Sequence, residues 1–198
     1  MEKVFDFLHK IEKLKSTLRF EGNTASGRPE SAAEHSWRLA LMIFSFAKEL
    51  KIKVDVCRAI KMAIVHDLAE SITGDVDAVR IADGEITVEK KRDMEVQAMK
   101  DLTCDLSGVG REINGLWEEY EDGKTNEARF VKALDKIETL THICEEGYKF
   151  YDRPEFIPNY ADNSVKKFPE LTEALMIVKR KLKEEYSKGN IEWKEEYN

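Results

Sequence analysis

Histidine and aspartate stand side by side at His66-Asp67, inside the apolar stretch IVHDLAE. A polar side chain in such a stretch must be paired or bound, because burying it bare costs several kcal/mol. Neighbouring residues of a helix point in different directions, yet both can reach one ion that lies over the wedge between them. Imidazole nitrogen and carboxylate oxygen together suit several divalent metals. The pair therefore predicts a metal site, although a histidine that is only hydrogen-bonded within a helix gives the same dipeptide.

Two further side chains extend this pair. His35 lies in AEHSW, at the start of a second apolar helical stretch. Glu70 follows His66 by one helical turn and lies on the same face. A carboxylate beside a metal can orient the attacking water or pass a proton to the leaving oxygen. This spacing favours Glu70 as a catalytic carboxylate, with a solvated glutamate on the helix surface as the alternative.

A distant acidic residue is the next candidate. Asp135 follows Leu134 in FVKALDKIETL, where apolar residues mark the buried side of a long helix. An aspartate at that position flanks the core instead of facing open water. The alternative is a surface aspartate paired with Lys132 or Lys136.

Longer stretches around these residues resemble a known family. RPESAAEHSW, HDLAESITGD and FVKALDKIETL present a histidine, a histidine–aspartate pair and an aspartate in that order. This pattern resembles the HD-domain phosphohydrolases, and among them the bacterial 5′-deoxynucleotidases and the eukaryotic HD-domain-containing protein 2 family, over residues 5–180. The resemblance implies an all-α fold, a single-domain HD-type bundle of about six to eight helices around a central metal site.

The resemblance also implies roles for individual residues. It implies a metal centre with four protein ligands: His35, His66, Asp67 and Asp135. Glu70 is then the catalytic carboxylate, Arg19 grips the substrate phosphate, and Asp75 meets the sugar. The family often has a tryptophan after that arginine, and its bulk is thought to disfavour a 2′-hydroxyl. This chain has Phe20 there, so the sequence leaves the choice between deoxyribose and ribose open.

The implied activity is phosphomonoester hydrolysis. The substrate is a deoxyribonucleoside or ribonucleoside 5′-monophosphate, and the cofactor is one divalent ion: manganese, cobalt, iron, zinc or magnesium. One alternative keeps the fold and changes the substrate to a nucleoside triphosphate, an alarmone or a cyclic nucleotide. Another is a metal-binding scaffold without catalysis, against which the presence of Glu70 argues.

Composition narrows the partners and the compartment. The net charge is −7 with both signs mixed along the chain, so a nucleic acid duplex is not an expected partner. No apolar run reaches the ~20 residues that span a bilayer, and MEKVFDFLHKIEKL has no signal-peptide core, so we expect no membrane association. Cys57, Cys104 and Cys144 are read as small buried thiols, which suits the cytoplasm.

Apolar periodicity predicts helices at residues 3–16, 31–50, 54–74, 87–102, 109–120, 126–148 and 165–186, and no strand. Residues 1–186 are predicted to form the HD domain and residues 187–198 a tail, frayed after Gly189. The resemblance implies a homodimer, to which the aromatic-rich segment 148–160 can contribute contact surface.

Overall fold

The computed structural model describes residues 1–19, 28–76, 81, 84–151 and 153–198. The α-helices in these ranges are α1 (Glu2–Ile11), α2 (Ala32–Glu49), α3 (Val56–Val65), α4 (Glu70–Thr73), α5 (Val88–Thr103), α6 (Gly108–Asp122), α7 (Asn126–Glu146), α8 (Asp162–Lys166) and α9 (Thr172–Lys188). Two short strands, β1 (Leu18–Arg19) and β2 (Glu30–Ser31), pair antiparallel. The predicted all-α fold is confirmed, with this small ribbon as an addition. Among the described helices, none has the length and apolar character needed to cross a bilayer.

Side-chain caps begin the principal helices. Ser31 and Glu34 form the predicted capping box of α2, in which each side chain bonds the other residue's backbone N–H. Asp55, Thr87 and Thr125 cap α3, α5 and α7 by accepting the N–H three residues on, at 3.0, 3.2 and 3.2 Å. These caps fix where the site-bearing helices start.

The core consists of two apolar clusters. The first lies among α2, α3, α7 and α9, and it includes Leu39, Met62, Ala63, Phe130, Leu134 and Val178. The second lies among α1, α5 and α6, and it includes Phe7, Ala32, Val65, Leu68, Met99 and Trp117. Both α2 and α3 pass from one cluster to the other within a few residues. His35 and the His66-Asp67 pair lie at these crossing points.

The helix predicted for residues 165–186 is broken in two. The chain forms α8, then a short 3-10 segment at Pro169–Leu171, and then α9. A residue before proline avoids the helical region, and Phe168 accordingly has φ −142° and ψ 75°. The proline thus explains the break.

Apolar spacing along α2 predicts a buried stripe through Trp37, Leu41, Phe44 and Ala47, and the structure buries a different face. Trp37, Leu41 and Phe44 are 67%, 51% and 51% exposed, whereas Leu39 and Ile43 are completely buried. This helix has apolar residues on both faces, and periodicity does not tell which face meets the core. The interpretation of Trp37 as a packing residue is therefore wrong.

Two other expectations also fail. Cys57 and Cys104 are exposed and Cys144 is only partly buried, so the prediction of three buried thiols is wrong. The tail is ordered after Gly189: Tyr197 is 4% exposed, and the ring of Trp193 lies between those of Tyr186 and Tyr197. Contacts between aromatic rings hold this segment in place, although most of its residues are charged or polar.

Candidate metal centre

A change of helical pitch positions His66 and Asp67. The α-helix α3 ends at Val65, and the backbone N–H groups of residues 68, 70 and 71 bond carbonyls three residues earlier, at 3.0–3.2 Å. This 3-10 geometry turns successive side chains by a larger angle than an α-helix does. Nδ1 of His66 lies 2.8 Å from the carbonyl oxygen of Ala63, which leaves Nε2 to face inward.

His35 and Asp135 meet this pair from two other helices. His35 lies in the first turns of α2 and is completely buried, and Asp135 lies in the middle of α7 and is 3% exposed. Nε2 of His35 is 3.1 Å from Oδ1 of Asp135 and 3.9 Å from Oδ2 of Asp67. Nε2 of His66 is 3.1 Å from Oδ1 of Asp67. The structure therefore brings together the four residues that the sequence predicts as ligands.

Three of these residues form a group that can hold one divalent ion, since donor atoms of His35, His66 and Asp135 all lie within 4.8 Å of one another. Asp67 lies beside this group, with Oδ1 3.1 Å from Nε2 of His66 and Oδ2 3.9 Å from Nε2 of His35. Nε2 of His35 and Nε2 of His66 are both buried, and neither makes a hydrogen bond within the described part of the chain. Buried polar atoms require a partner, and an ion between the two imidazoles supplies one.

Tyr120 and Lys136 hold the carboxylate of Asp135. The Tyr120 hydroxyl donates to Oδ2 at 2.9 Å, and Lys136 Nζ lies 3.2 Å from the same oxygen. Burial raises the pKa of Asp135, but Lys136 and His35 outweigh it and lower that pKa well below its usual range. Oδ1, the other oxygen, faces His35. Asp135 therefore pairs with Lys136 through one carboxylate oxygen, as the alternative interpretation expected, and faces the candidate metal centre with the other.

Carboxylates lie on both sides of the His35 ring. Oε2 of Glu138 contacts Nδ1, and Asp135 lies beside Nε2. Burial and the Arg19 cation lower the pKa of His35, but these carboxylates outweigh them and raise it to about 9. The surroundings of this ring thus favour positive charge, whether a proton or a metal ion.

Glu70 is the first residue of α4 and is 6% exposed. Its Oε2 atom is buried and makes no hydrogen bond among the described residues. Burial, followed by the charges of Asp67 and Asp75, raises the pKa of Glu70 well above its usual value. A raised pKa favours the protonated carboxyl group, the form that a general acid needs.

Arg19 supplies the buried positive charge of the site. It lies on β1, is 8% exposed, and donates from Nη2 to Oγ1 of Thr139 at 3.3 Å. Burial lowers the pKa of Arg19, but the negative charges of nearby carboxylates, chiefly Asp67 and Asp135, outweigh burial and raise that pKa. A guanidinium among these acids suits the binding of a phosphate.

Asp75 is the other predicted substrate residue that the structure describes. Asp75 is half-buried and follows Gly74, whose φ of 73° ends α4. Its charge raises the pKa of both Arg19 and Glu70, so it lies near both side chains. Phe20 lies outside the described residues.

One cation near the site was missed. The basic run Lys90-Lys91-Arg92 is typical of an exposed helix face, but Lys91 is half-buried and lies 3.4 Å from Glu95. Its charge acts on Glu70. The helical phase offered a signal, since Lys91 and Glu95 share a face with the buried Ala98.

Comparisons with known proteins identify the family of this chain. The sequence profile of the HD domain family matches residues 11–175. The 5′-deoxynucleotidase HDDC2 of Dictyostelium discoideum is 38% identical over 167 residues, which cover 80% of this chain and 83% of that protein. The human protein of the same name is 36% identical over 150 residues, covering 74% and 69%.

A solved structure shows the same architecture. A protein of Magnetospirillum magnetotacticum described as a predicted metal-dependent phosphohydrolase superposes with a TM-score of 0.77 at 26% identity, covering 96% of this chain and 94% of that one. The profile spans most of the chain, and the curated relatives exceed 30% identity over most of their length. This chain therefore belongs to the HD-domain family.

Proposed function

We propose that this chain is a metal-dependent phosphohydrolase that removes phosphate from nucleoside 5′-monophosphates. The observation that carries the proposal is the convergence of two imidazoles and two carboxylates, with two buried Nε2 atoms that lack hydrogen bonds within the described residues. The curated relatives named 5′-deoxynucleotidase support a nucleotide as the substrate and favour the deoxyribose form.

The four ligands of the proposed ion are His35, His66, Asp67 and Asp135. Mixed nitrogen and oxygen donors suit manganese, cobalt, iron, zinc or magnesium. An ion held there supplies positive charge to a phosphate oxygen and lowers the pKa of a water molecule at the site.

Arg19 and Asp75 orient the substrate in this proposal. The guanidinium of Arg19 lies among the site carboxylates and offers a planar pair of donors to the phosphate oxygens. Asp75, which follows Gly74 and lies near Arg19 and Glu70, accepts hydrogen bonds from sugar hydroxyls. Phe20 is the proposed neighbour of the 2′ position.

Glu70 moves the proton. Its raised pKa favours the protonated carboxyl group, the form that a general acid requires. The oxygen of a water molecule bonds to phosphorus as the bond from phosphorus to the 5′-oxygen breaks, and Glu70 gives its proton to the departing 5′-oxygen. The products are a nucleoside and inorganic phosphate, which keeps the protons of the water, and Glu70 regains a proton from solvent. The buried Oε2 atom is available for the contact with the 5′-oxygen.

A substitution at Glu70 tests the mechanism. Glu70→Gln removes the transferable proton but keeps the shape, so we expect kcat to fall at least ~100-fold while bound metal is retained. Glu89→Gln, on the exposed start of α5, is the matched control and should keep full activity. Phosphate release and metal content are measured on the same samples. Full activity of Glu70→Gln would contradict the assignment.

The substrate class is tested by a phosphate-release screen with each candidate metal. Nucleoside 5′-monophosphates should release phosphate, and deoxy and ribo forms compared side by side report on Phe20. Activity confined to triphosphates, alarmones or cyclic nucleotides would move the proposal to another HD-type activity. A purified protein that binds no divalent ion and gains no activity from manganese or cobalt would indicate a scaffold.

We also propose a homodimer, with the outer face of α2 as its contact surface. Trp37, Leu41 and Phe44 follow one another at spacings of four and three residues, and all are more than half exposed. The same row begins at Glu34 and ends at Lys48. Two antiparallel copies therefore place opposite charges together at both ends, as a two-fold interface requires.

Sedimentation velocity tests this surface. Leu41→Glu should convert the dimer to a monomer, whereas Met176→Glu, at a more exposed apolar position on α9, should not. Phe156→Glu examines the segment 148–160 that the sequence suggested. A monomeric wild-type protein at all concentrations would refute the dimer.

We propose residues 1–186 as the HD domain and residues 187–198 as an appended tail. The family profile ends at residue 175, and α9 continues to Lys188.

The proposed location is the cytoplasm, since the three cysteines are free thiols, which suits a reducing compartment.

A further inference from the structure

Glu138 lies directly behind the metal centre. It is completely buried in α7, one helical turn after Asp135. Its Oε2 atom contacts Nδ1 of His35, and its Oε1 atom accepts from Nε of Arg38 at 2.5 Å. Both oxygens of this carboxylate are therefore used across the interface between α2 and α7.

The two helices contribute residues in the same spacing. On α2, His35 is followed three residues later by Arg38, and on α7, Asp135 is followed three residues later by Glu138. In each pair the first residue faces the centre, and the second makes the contact behind it. Arg38 is itself anchored, since Nη1 donates to Glu145 Oε2 at 2.6 Å.

The ring orientation of His35 depends on this contact. A histidine that binds a metal through Nε2 must carry its proton on Nδ1, and a carboxylate that accepts this proton fixes the tautomer and the ring plane. Only Nε2 of His35 faces Asp67 and Asp135. A ring flipped by 180° about the Cβ–Cγ bond would put Cε1, a carbon that cannot bind a metal, in the place of Nε2.

We infer that Glu138, steadied by Arg38, is a positioning residue that holds His35 in the Nδ1-protonated form and so sets the affinity for the metal. This inference rests on the proposed function, since it assumes an ion at the centre. Such outer carboxylates typically change metal affinity by about 10–100-fold when they are replaced.

Glu138→Gln is the test, and Glu145→Gln is its matched control. The control makes the same chemical change on the same helix and removes the other carboxylate bound to Arg38, but it does not touch His35. Titration with Zn²⁺ against a chelator should show about 10–100-fold weaker binding for Glu138→Gln and a change below about 2-fold for Glu145→Gln. Equal weakening in both variants, or none in Glu138→Gln, overturns the inference.

A spectroscopic measurement keeps the test independent of variant folding. In Zn²⁺-loaded wild-type protein, ¹⁵N–¹H correlation spectra should show His35 coordinated through Nε2, with a protected low-field proton on Nδ1. Coordination through Nδ1, or loss of that proton to exchange, overturns the inference. If the wild-type protein binds no Zn²⁺ at all, the proposed function itself fails, which is a separate result.

Discussion

Arg19 joins charge and shape in one buried side chain. Lysine at this position keeps a positive charge among the carboxylates but loses the planar pair of donors. We predict that Arg19→Lys lowers kcat/KM for a nucleoside monophosphate by about 10-fold or more, mainly through KM, because phosphate binding in the ground state is weakened. Steady-state kinetics with the preferred metal measure both constants.

Arg28 offers a matched control for that substitution. Its side chain is 60% exposed and pairs with Glu34. Arg28→Lys should leave both constants unchanged. Unchanged kinetic constants for Arg19→Lys, or a large change for Arg28→Lys, would contradict the assignment of Arg19 as the residue that binds the phosphate.

Cysteine reactivity also follows from single-residue environments. Burial, followed by the charge of Glu185, raises the pKa of Cys144 to about 12. The thiol stays protonated until the pH approaches that value, and only the thiolate reacts rapidly. At pH 8 we predict that iodoacetamide modifies the exposed Cys57 and Cys104 first, and Cys144 at least ~100-fold more slowly. Peptide mass spectrometry gives the three rates, and equal rates would contradict the assigned burial.

At the scale of elements, glycine at the end of α4 controls where the chain turns toward Asp75. Gly74 has φ 73° and ψ 166°, a region essentially confined to glycine. We predict that Gly74→Ala lowers the free energy of unfolding by about 1–3 kcal/mol, although no atom of the described residues would contact the added methyl group. Urea denaturation measures the change.

Gly115 serves as the control, because its replacement by alanine is expected to raise the free energy of unfolding instead of lowering it. It lies in the interior of α6 with an ordinary φ, and an added methyl group there also meets nothing within 4 Å. Gly115→Ala should stabilise the protein by about 0.5–1 kcal/mol through helix propensity. A destabilised Gly115→Ala, or a neutral Gly74→Ala, would show that backbone conformation does not decide these positions.

Local signals predicted most of the elements. The Ser31–Glu34 capping box and the caps at Asp55 and Thr87 place helix starts within a residue or two, because capping is a contact between near neighbours. The early end of α3 was not predictable, since nothing in IVHDLAE breaks a helix. The 3-10 turn at that point lies beside the candidate metal centre, and such a stretch within a helix often marks a functional hinge or a strained sequence.

At the scale of the whole molecule, the candidate metal centre lies where the two apolar clusters of the core meet. The sequence supplied the four candidate ligands through a family pattern, and their role as ligands stays a prediction. Tyr120 and Glu138 were not anticipated, because each contacts the centre from a helix whose packing depends on the complete fold. The outer face of α2 was misread for the same reason. Periodicity describes one helix, whereas burial is a property of the assembled bundle.

The tail illustrates how a distant segment stabilises that bundle. The ring of Trp193 lies 5.2 Å from the Tyr186 ring and 5.5 Å from the Tyr197 ring, and Lys179 donates to the Tyr197 carbonyl at 3.1 Å. Aromatic pairs contribute about 0.5–1.5 kcal/mol each beyond the area that they bury, so Trp193→Ala should lower the free energy of unfolding by about 1–3 kcal/mol. Glu192→Ala, at the exposed neighbouring position, should change it by less than about 0.5 kcal/mol. Equal urea midpoints for the two variants would mean that the tail adds nothing to the stability of α9, and that residues 187–198 are as loosely held as their charge suggested.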